Sequence, residues 1–348
     1  MQLSIFKYMF KIPDLRKRII FTLLMFGVYR LGAAVPVPGV DLEAVQRLTE
    51  SGAQAGIYGL LNLFSGGALE TFSVFALGIM PYITSSIILQ LLTVVIPRLQ
   101  KLQEEGESGR KVITQWTRYV TVVLALLQST GLTYIFSRGS LTGGISLIPN
   151  YTPSRVGLIV LTMTAGTAFI MWLGELISQR GIGNGMSLII FASIISQLPA
   201  SFGGAYQVTA GQGRMGQFAV LVLMFFLMIV GIIYVEQGQR RIPIQFAKRV
   251  RGRKVMGGQS TYIPLKVNSA GVIPVIFATS VLFFPALIAT SLPQDNRVTA
   301  GIRNWIDVNL ANSQGTSWFY IFFLGILIIF FTYFYTTIQF DPVRQSDM

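Results

Sequence analysis

The chain of 348 residues contains no cysteine and no histidine. The missing cysteine excludes disulfide frameworks, thiolate metal sites and cysteine nucleophiles, and the missing histidine excludes every catalytic triad that depends on imidazole. Charged residues are scarce, at 12% of the chain, and the 14 acidic residues lie almost entirely outside the apolar segments. These absences leave an enzyme that uses carboxylates open, but the position of the acids disfavours it. We therefore expect no catalytic residue, no metal site and no cofactor, and interpret the chain as a protein that is not an enzyme.

Apolar residues are abundant, at 52% of the chain with a mean hydropathy of +0.60. Such values are typical of a polytopic membrane protein, whose helices need about 20 apolar residues to cross a bilayer. Seven runs have spanning length: Ile19 to Val35, Phe72 to Ile96, Tyr119 to Phe136, Val156 to Ile177, Phe218 to Val235, Ala270 to Leu292 and Trp318 to Ile338. An eighth, Met186 to Leu198, is short and ends at Pro199. The sequence predicts an all-α bundle of eight spans.

The basic residues predict how these spans are oriented. Eight spans place both termini on one side of the membrane. If that side is the cytoplasm, the inner segments hold 20 of the 27 lysines and arginines. Because cytoplasmic segments carry an excess of such residues, we expect a multi-pass protein with both termini in the cytoplasm.

The stretch from Ile57 to Ile96 is too long for one span and has no polar turn in its middle for two. We interpret it as a short apolar helix that enters the membrane, turns back at Gly66 and Gly67, and leads into one full span from about Phe72. Irregular backbone at that depth is tolerated only where it is buried in protein or lines a water-filled cavity. The stretch therefore predicts a cavity with a segment inside it.

The segment 236–268 is the only sizeable soluble piece. Ile242 and Ile244 alternate with other residues, Gly257 and Gly258 suggest a turn, and the run STYIPLKV can return as a second strand. The tip, KRVRGRK from Lys248 to Lys254, has five basic residues in seven positions. These charges either serve membrane topology alone or bind an acidic partner, and the sequence leaves both interpretations open.

Polar residues within the spans also allow two interpretations. Uncharged groups such as Thr84, Ser85, Gln90 and Asn268 serve ordinary helix packing or mark a seam between helices that part. Charged groups are almost absent from the spans, which disfavours the alternative function of a small-solute secondary transporter, since coupling requires a carboxylate or another charge near the midplane.

Four motifs resemble the bacterial SecY family, whose members are central subunits of protein-conducting channels: NLFSGGALETFSVFALGIMPY, QRGIGNGMSLIIFASII, VEQGQRRIPIQFAKR and VNSAGVIPVIFATSVLFFP. The resemblance implies an inverted-repeat helix bundle with a half-inserted plug helix at about 60–70 and a ring of aliphatic side chains that narrows the pore. The plug residues would be Leu60, Leu61, Asn62, Leu63, Phe64, Ser65, Gly66 and Gly67. The ring would consist of Ile79, Ile83, Met186, Ile190 and Ile276.

The resemblance also implies a lateral gate, partners and a location. Thr84, Ser85, Gln90 and Asn268 would line a gate through which apolar segments of a nascent polypeptide enter the lipid. Expected partners are signal sequences, nascent chains, SecE, a SecG-type subunit, the SecA motor and the ribosome, in the bacterial cytoplasmic membrane. The cytoplasmic contacts would be Arg240, Arg241, Lys248, Arg249, Arg251, Arg253 and Arg344.

The same resemblance predicts how the chain is divided. Residues 1–18 would be a cytoplasmic segment, 19–198 a first half of five spans, and 199–348 an incomplete second half of three spans that includes the loop 236–268. The family has two more spans. A channel fragment that conducts nothing is accordingly a further alternative for this form of the chain.

Overall fold

The computed structural model describes residues 11–41, 43–45, 47, 62–137, 147–148, 151–244, 249–251, 254–256, 261–291, 297–310 and 317–339. The chain forms two compact units. The first comprises residues 1–200 and 278–325, and the second comprises residues 201–277 and 326–348. The predicted division into halves after residue 198 stays a prediction.

Proline residues determine where the first helices begin and end. Helix α1, Pro13–Ala34, starts with proline in its first turn, where the missing N–H is no loss, and the extended backbone at Val35 stops it before Pro36. Helix α2, Met80–Val95, ends before Pro97, and helix α3, Pro97–Glu104, leaves it at a bend of 102°.

The predicted full span from Phe72 is wrong in its first part. Residues 66–79 form turns, and the helix does not begin until Met80. Three glycines in this stretch have positive φ, and so does Phe72, at 45°. Such a conformation costs free energy for a residue with a Cβ. Hydrogen bonds hold the turn beside the end of α1, from the N–H of Val37 to the carbonyl of Phe72 and from Val74 to Val35.

Two long helices pack beside α2 in the first unit. They are α4, Glu107–Ser137, and α5, Pro153–Arg180. Gly166 allows α5 to approach the turn before α2, because a Cβ there would overlap the carbonyl oxygen of Val74. Small residues thus permit close contact where lipid gives no hydrophobic drive to association.

Helix α6, Gly185–Gly211, is longer than the sequence predicts. It continues through Pro199, where we expected it to end, and reaches 27 residues. Proline within a membrane helix is tolerated because neighbouring groups can satisfy the freed carbonyl. The short apolar run is therefore part of a helix with spanning length.

The second unit contains helix α7, Met215–Gln237, which is apolar on all sides and has no buried residue. An antiparallel ribbon follows it, as predicted. Its strands are β1 (Gln239–Ile244), β2 (Arg249–Arg251), β3 (Lys254–Met256) and β4 (Thr261–Lys266), with β1 paired to β4 and β2 to β3. Arg251 pairs with Lys254 at the predicted tip, whereas Gly257 and Gly258, where we expected a turn, lie outside the described residues.

Three helices follow the ribbon: α8 (Ile273–Ser291), α9 (Arg297–Asn309) and α10 (Trp318–Gln339). Within the described ranges, five helices are long and apolar enough to cross a membrane, namely α4, α5, α6, α7 and α10, and the bent pair α2 and α3 would be a sixth. The count of eight spans stays a prediction.

Candidate functional site

The glycine turn predicted within the broken stretch is closed by its own side chains. Asn62 accepts a hydrogen bond from the N–H of Glu70 (3.1 Å) and donates one to its carboxylate (3.0 Å). The Ser65 hydroxyl donates to the carbonyl of Asn62 and accepts from the N–H of Leu69. Residues 62–70, called the plug turn below, are thus a compact loop that starts with a helical turn at 62–65. Leu60 and Leu61 lie outside the described residues.

Two glycines bring the plug turn against helix α6. Gly66 and Gly67 have φ values of +69° and +85°, which favour glycine. A Cβ at Gly66 would lie 3.1 Å from the Cα of Ser193, and one at Gly67 would overlap the amide of Gln197. The glycine pair therefore provides both the backbone conformation and the close approach.

Helix α1 holds the same turn through two consecutive side chains. The buried Tyr29 hydroxyl donates to the carbonyl of Ser65 (3.0 Å) and lies 2.7 Å from the Ser193 hydroxyl. The Arg30 guanidinium donates to the carbonyl of Gly66 and to the Ser196 hydroxyl, both at 2.9 Å. The sequence reveals Arg30 only as a charge near the end of a span, and nothing in it reveals Tyr29.

The predicted ring residues of α2 follow directly on the plug turn. A Cβ at Gly78 would lie 3.1 Å from the Cα of Ser65, so Ile79 comes immediately after this point of contact. Ile83 lies one helical turn further, its N–H bonded to the carbonyl of Ile79. Both side chains are buried, with 1% and 9% of their surface exposed.

The ring residues of α6 are half-buried. Ile190 lies seven residues before Gln197, which places the two on one face of the helix about 10 Å apart. Met186 packs elsewhere, because its sulfur lies against Gly174 of α5. Ile276 is buried within the second unit. Of the predicted ring residues, Ile79 directly follows a contact with the plug turn and Ile83 lies one helical turn further, while a ring that joins all five residues stays a prediction.

The predicted gate residues of α2 face two different helices. The Thr84 hydroxyl lies 3.4 Å from the Ser280 hydroxyl of α8. The Ser85 hydroxyl lies 2.5 Å from that of Thr121 on α4. The Thr84 side chain therefore faces α8, whereas the Ser85 side chain faces α4.

The other two gate residues lie elsewhere. Gln90 is exposed on α2. Asn268 accepts from the N–H of Gly271 and donates weakly to Glu236 (3.4 Å), so it joins the end of α7 to the start of α8. The buried Gln128 of α4, which we did not predict, lines a cavity of about 20 Å³ beside Ser280, with room for about one water molecule.

The predicted contact arginines are described in part. Arg240 and Arg241 are exposed on β1, and the Arg241 guanidinium stacks 4.8 Å from the ring centre of Tyr262. Arg249 and Arg251 lie on β2, where only the backbone is described. Lys248, Arg253 and Arg344 lie outside the described residues.

One carboxylate within a candidate span has a clear structural partner. Glu175 of α5 accepts two hydrogen bonds from Arg118 of α4, one from its Nε (2.7 Å) and one from a terminal nitrogen (2.5 Å). This bidentate geometry is the strongest form of ion pair. Glu175 is therefore engaged in joining two helices.

Known proteins resemble this chain in sequence and in fold. The family model that matches is SecY, over residues 73–348. The chain is 49% identical to the protein translocase subunit SecY of Streptomyces coelicolor, over 99% of this chain and 79% of that protein. It shares its fold with a solved protein-conducting channel (TM-score 0.53, 17% identity) and with Sec61 in the canine ribosome-channel complex (TM-score 0.53, 18% identity). Each match covers 79% of this chain and 58% of the other. The chain belongs to the SecY family of bacterial membrane proteins.

Proposed function

We propose that the chain forms the passage of a protein-conducting channel, through which unfolded secretory polypeptides cross the cytoplasmic membrane. One observation carries the proposal. The plug turn is seated between the start of α2 and the face of α6 that bears Ser193 and Gln197, directly before Ile79. A turn held in place at the first of the predicted ring residues is the arrangement expected of a closed pore.

The aliphatic side chains explain how such a pore can block ions and still admit polypeptides of diverse sequence. A hydrophobic constriction loses its water and blocks ions without any charged group. It also offers a passing polypeptide no fixed hydrogen-bond partner, so chains of diverse sequence can slide through. A transporter of small solutes would instead need a free charge within the spans, and Glu175 is held by Arg118.

The contact between α2 and α8 fits a lateral gate. Thr84 and Ser280 meet through a long hydrogen bond of 3.4 Å, which contributes little and can be exchanged for water. Separation of these helices would let an apolar segment of the cargo partition into lipid, while a polar segment continues across.

The basic ribbon supports partners on the cytoplasmic side. With both termini in the cytoplasm, β1 to β4 project there and present arginines to an acidic surface such as ribosomal RNA or the SecA motor. The structural neighbour Sec61 was solved in a ribosome-channel complex. SecE and a SecG-type subunit would complete the assembly.

The ion conductance of variants with a polar residue in the ring tests the proposed pore. Replacement of Ile83 or Ile190 with Ser should let the closed channel leak ions, because a hydroxyl allows water to wet the constriction. The measurement is conductance in planar lipid bilayers, and Ile88→Ser on the opposite side of α2 is the matched control. Unchanged conductance in both ring variants would contradict the pore.

A further inference from the structure

Two carbonyl groups of the plug turn are held in the same way. Tyr29 reaches the carbonyl of Ser65, and the next residue, Arg30, reaches the carbonyl of Gly66. Each of these side chains also contacts a serine of α6, Tyr29 at Ser193 and Arg30 at Ser196. Side chains of helix α1 thus bind two successive peptide groups of the turn, and serines of helix α6 bind those side chains.

We infer that Tyr29 and Arg30, together with Ser193 and Ser196, are a clamp that sets how readily the plug turn leaves the pore. The inference rests on the proposed channel function and adds positioning residues that lie outside the predicted ring and gate. Tyr29 and Arg30 donate to the backbone of the turn, and the two serines of α6 hold those side chains in position. Because these bonds end on backbone carbonyls, they do not depend on which side chains the turn carries.

The hydrogen bonds of the clamp determine which state of the channel it favours. Displacement of the turn breaks the bonds to the Ser65 and Gly66 carbonyls, and the buried Tyr29 hydroxyl keeps only its contact with Ser193. Because these two hydrogen bonds exist only while the turn is seated, the clamp favours the closed state. Loss of one such bond shifts an equilibrium by about fivefold.

Conductance of the channel in planar bilayers tests the clamp. Tyr29→Phe should raise the frequency of spontaneous opening about fivefold, since it removes one hydroxyl from an otherwise unchanged ring. Arg30→Met should raise it at least as much, and Arg30→Lys should restore part of the seal. Matched controls are Tyr206→Phe on an exposed part of α6 and Arg47→Met, whose arginine pairs only weakly with Glu43 (3.5 Å).

A reversible tether separates the clamp from general damage to the fold. The Cβ atoms of a Gly66→Cys and Ser193→Cys pair would lie near 3.3 Å, close to the separation in a disulfide, and the chain has no other cysteine. Because the cysteine pair replaces Gly66 at a positive φ and removes the Ser193 hydroxyl, the reference is the reduced pair with Arg30 intact. When Arg30→Met is added, the leak should exceed this reference, oxidation should abolish it and reduction should restore it. A leak that persists after oxidation would overturn the clamp, because the turn would then not be what moves.

The outcomes also distinguish the clamp from the pore. If Ile83→Ser leaks while Tyr29→Phe and Arg30→Met stay sealed, the pore stands and the clamp is wrong. If Ile83→Ser, Ile190→Ser, Tyr29→Phe and Arg30→Met all stay sealed, the proposed pore is wrong and the clamp is wrong with it.

Discussion

Single residues decide how closely backbone segments approach each other in this chain. Gly166 of α5 faces the carbonyl of Val74, whereas Gly157 on the same helix has nothing within 4 Å of a Cβ position. Both are helical glycines, so helix propensity alone would favour alanine at either site.

The two glycines should therefore respond in opposite directions. We expect Gly166→Ala to destabilise the protein by at least about 1 kcal/mol, because the added methyl pushes α5 away from the turn before α2. Gly157→Ala should stabilise it by about 0.5–1 kcal/mol through helix propensity. The measurement is the midpoint of thermal unfolding of both variants in detergent. Equal midpoints would show that the close approach of Gly166 to Val74 does not affect stability.

The residue scale also shows where sequence reasoning ends. The glycine pair of the plug turn is visible in the sequence, since two adjacent glycines in an apolar stretch predict a reversal. The positive φ of Phe72 is not, because a bulky aromatic residue normally avoids that conformation. Tyr29 and Arg30 are equally hidden, since their partners are backbone carbonyls 36 residues away.

Among the elements, helix α2 is the centre of the site. Its start abuts the plug turn, and hydroxyl groups join it to α8 on one side and to α4 on another. The sequence predicts polar residues on this helix but not which neighbour each one meets, because Ser280 and Thr121 look like ordinary packing residues.

This difference gives a matched pair of cross-links. A disulfide between Thr84→Cys and Ser280→Cys should block the lateral release of an apolar segment, because it ties α2 to α8. A disulfide between Ser85→Cys and Thr121→Cys should leave release unchanged, since it ties α2 to α4. Release into lipid is measured before and after reduction, and the chain has no native cysteine to interfere. Equal behaviour of both pairs would place the gate elsewhere.

The ribbon is the second element with a testable role. Charge reversal at Arg249 and Arg251, near its tip, should weaken ribosome or SecA binding without altering membrane insertion. Lys266→Glu, at the base of the same ribbon, is the control. Binding is compared at physiological salt, where screening would already remove weak contacts. Unchanged binding of the tip variant would mean that these arginines serve topology alone.

The sequence predicts the end of a helix where a proline interrupts it. It does not predict the end where a membrane helix continues through its proline. Pro97 ends α2 as expected, whereas Pro199 lies within α6. The ribbon follows from the alternation at Ile242 and Ile244, but the alternation does not predict its division into two strand pairs, β1 with β4 and β2 with β3.

At the scale of the whole molecule, scarcity of charge and abundance of apolar helices are what define the protein. Its charges are concentrated outside the spans, and Glu175 and Arg30 have structural partners at helix contacts. In the proposed channel such a molecule supplies a path, and the proposal assigns the energy for transport to a partner on the cytoplasmic side. Membership of the SecY family agrees with this account.

The most direct test of the account is whether a translocating polypeptide passes Ile83. A photoreactive residue at that position should cross-link to a stalled secretory chain in membranes, and one at Ile88, on the other side of α2, should not. A cross-link at Ile83 alone would place the polypeptide beside the plug turn. Equal cross-linking at both positions, or none at Ile83 while the chain is demonstrably engaged, would contradict the pore.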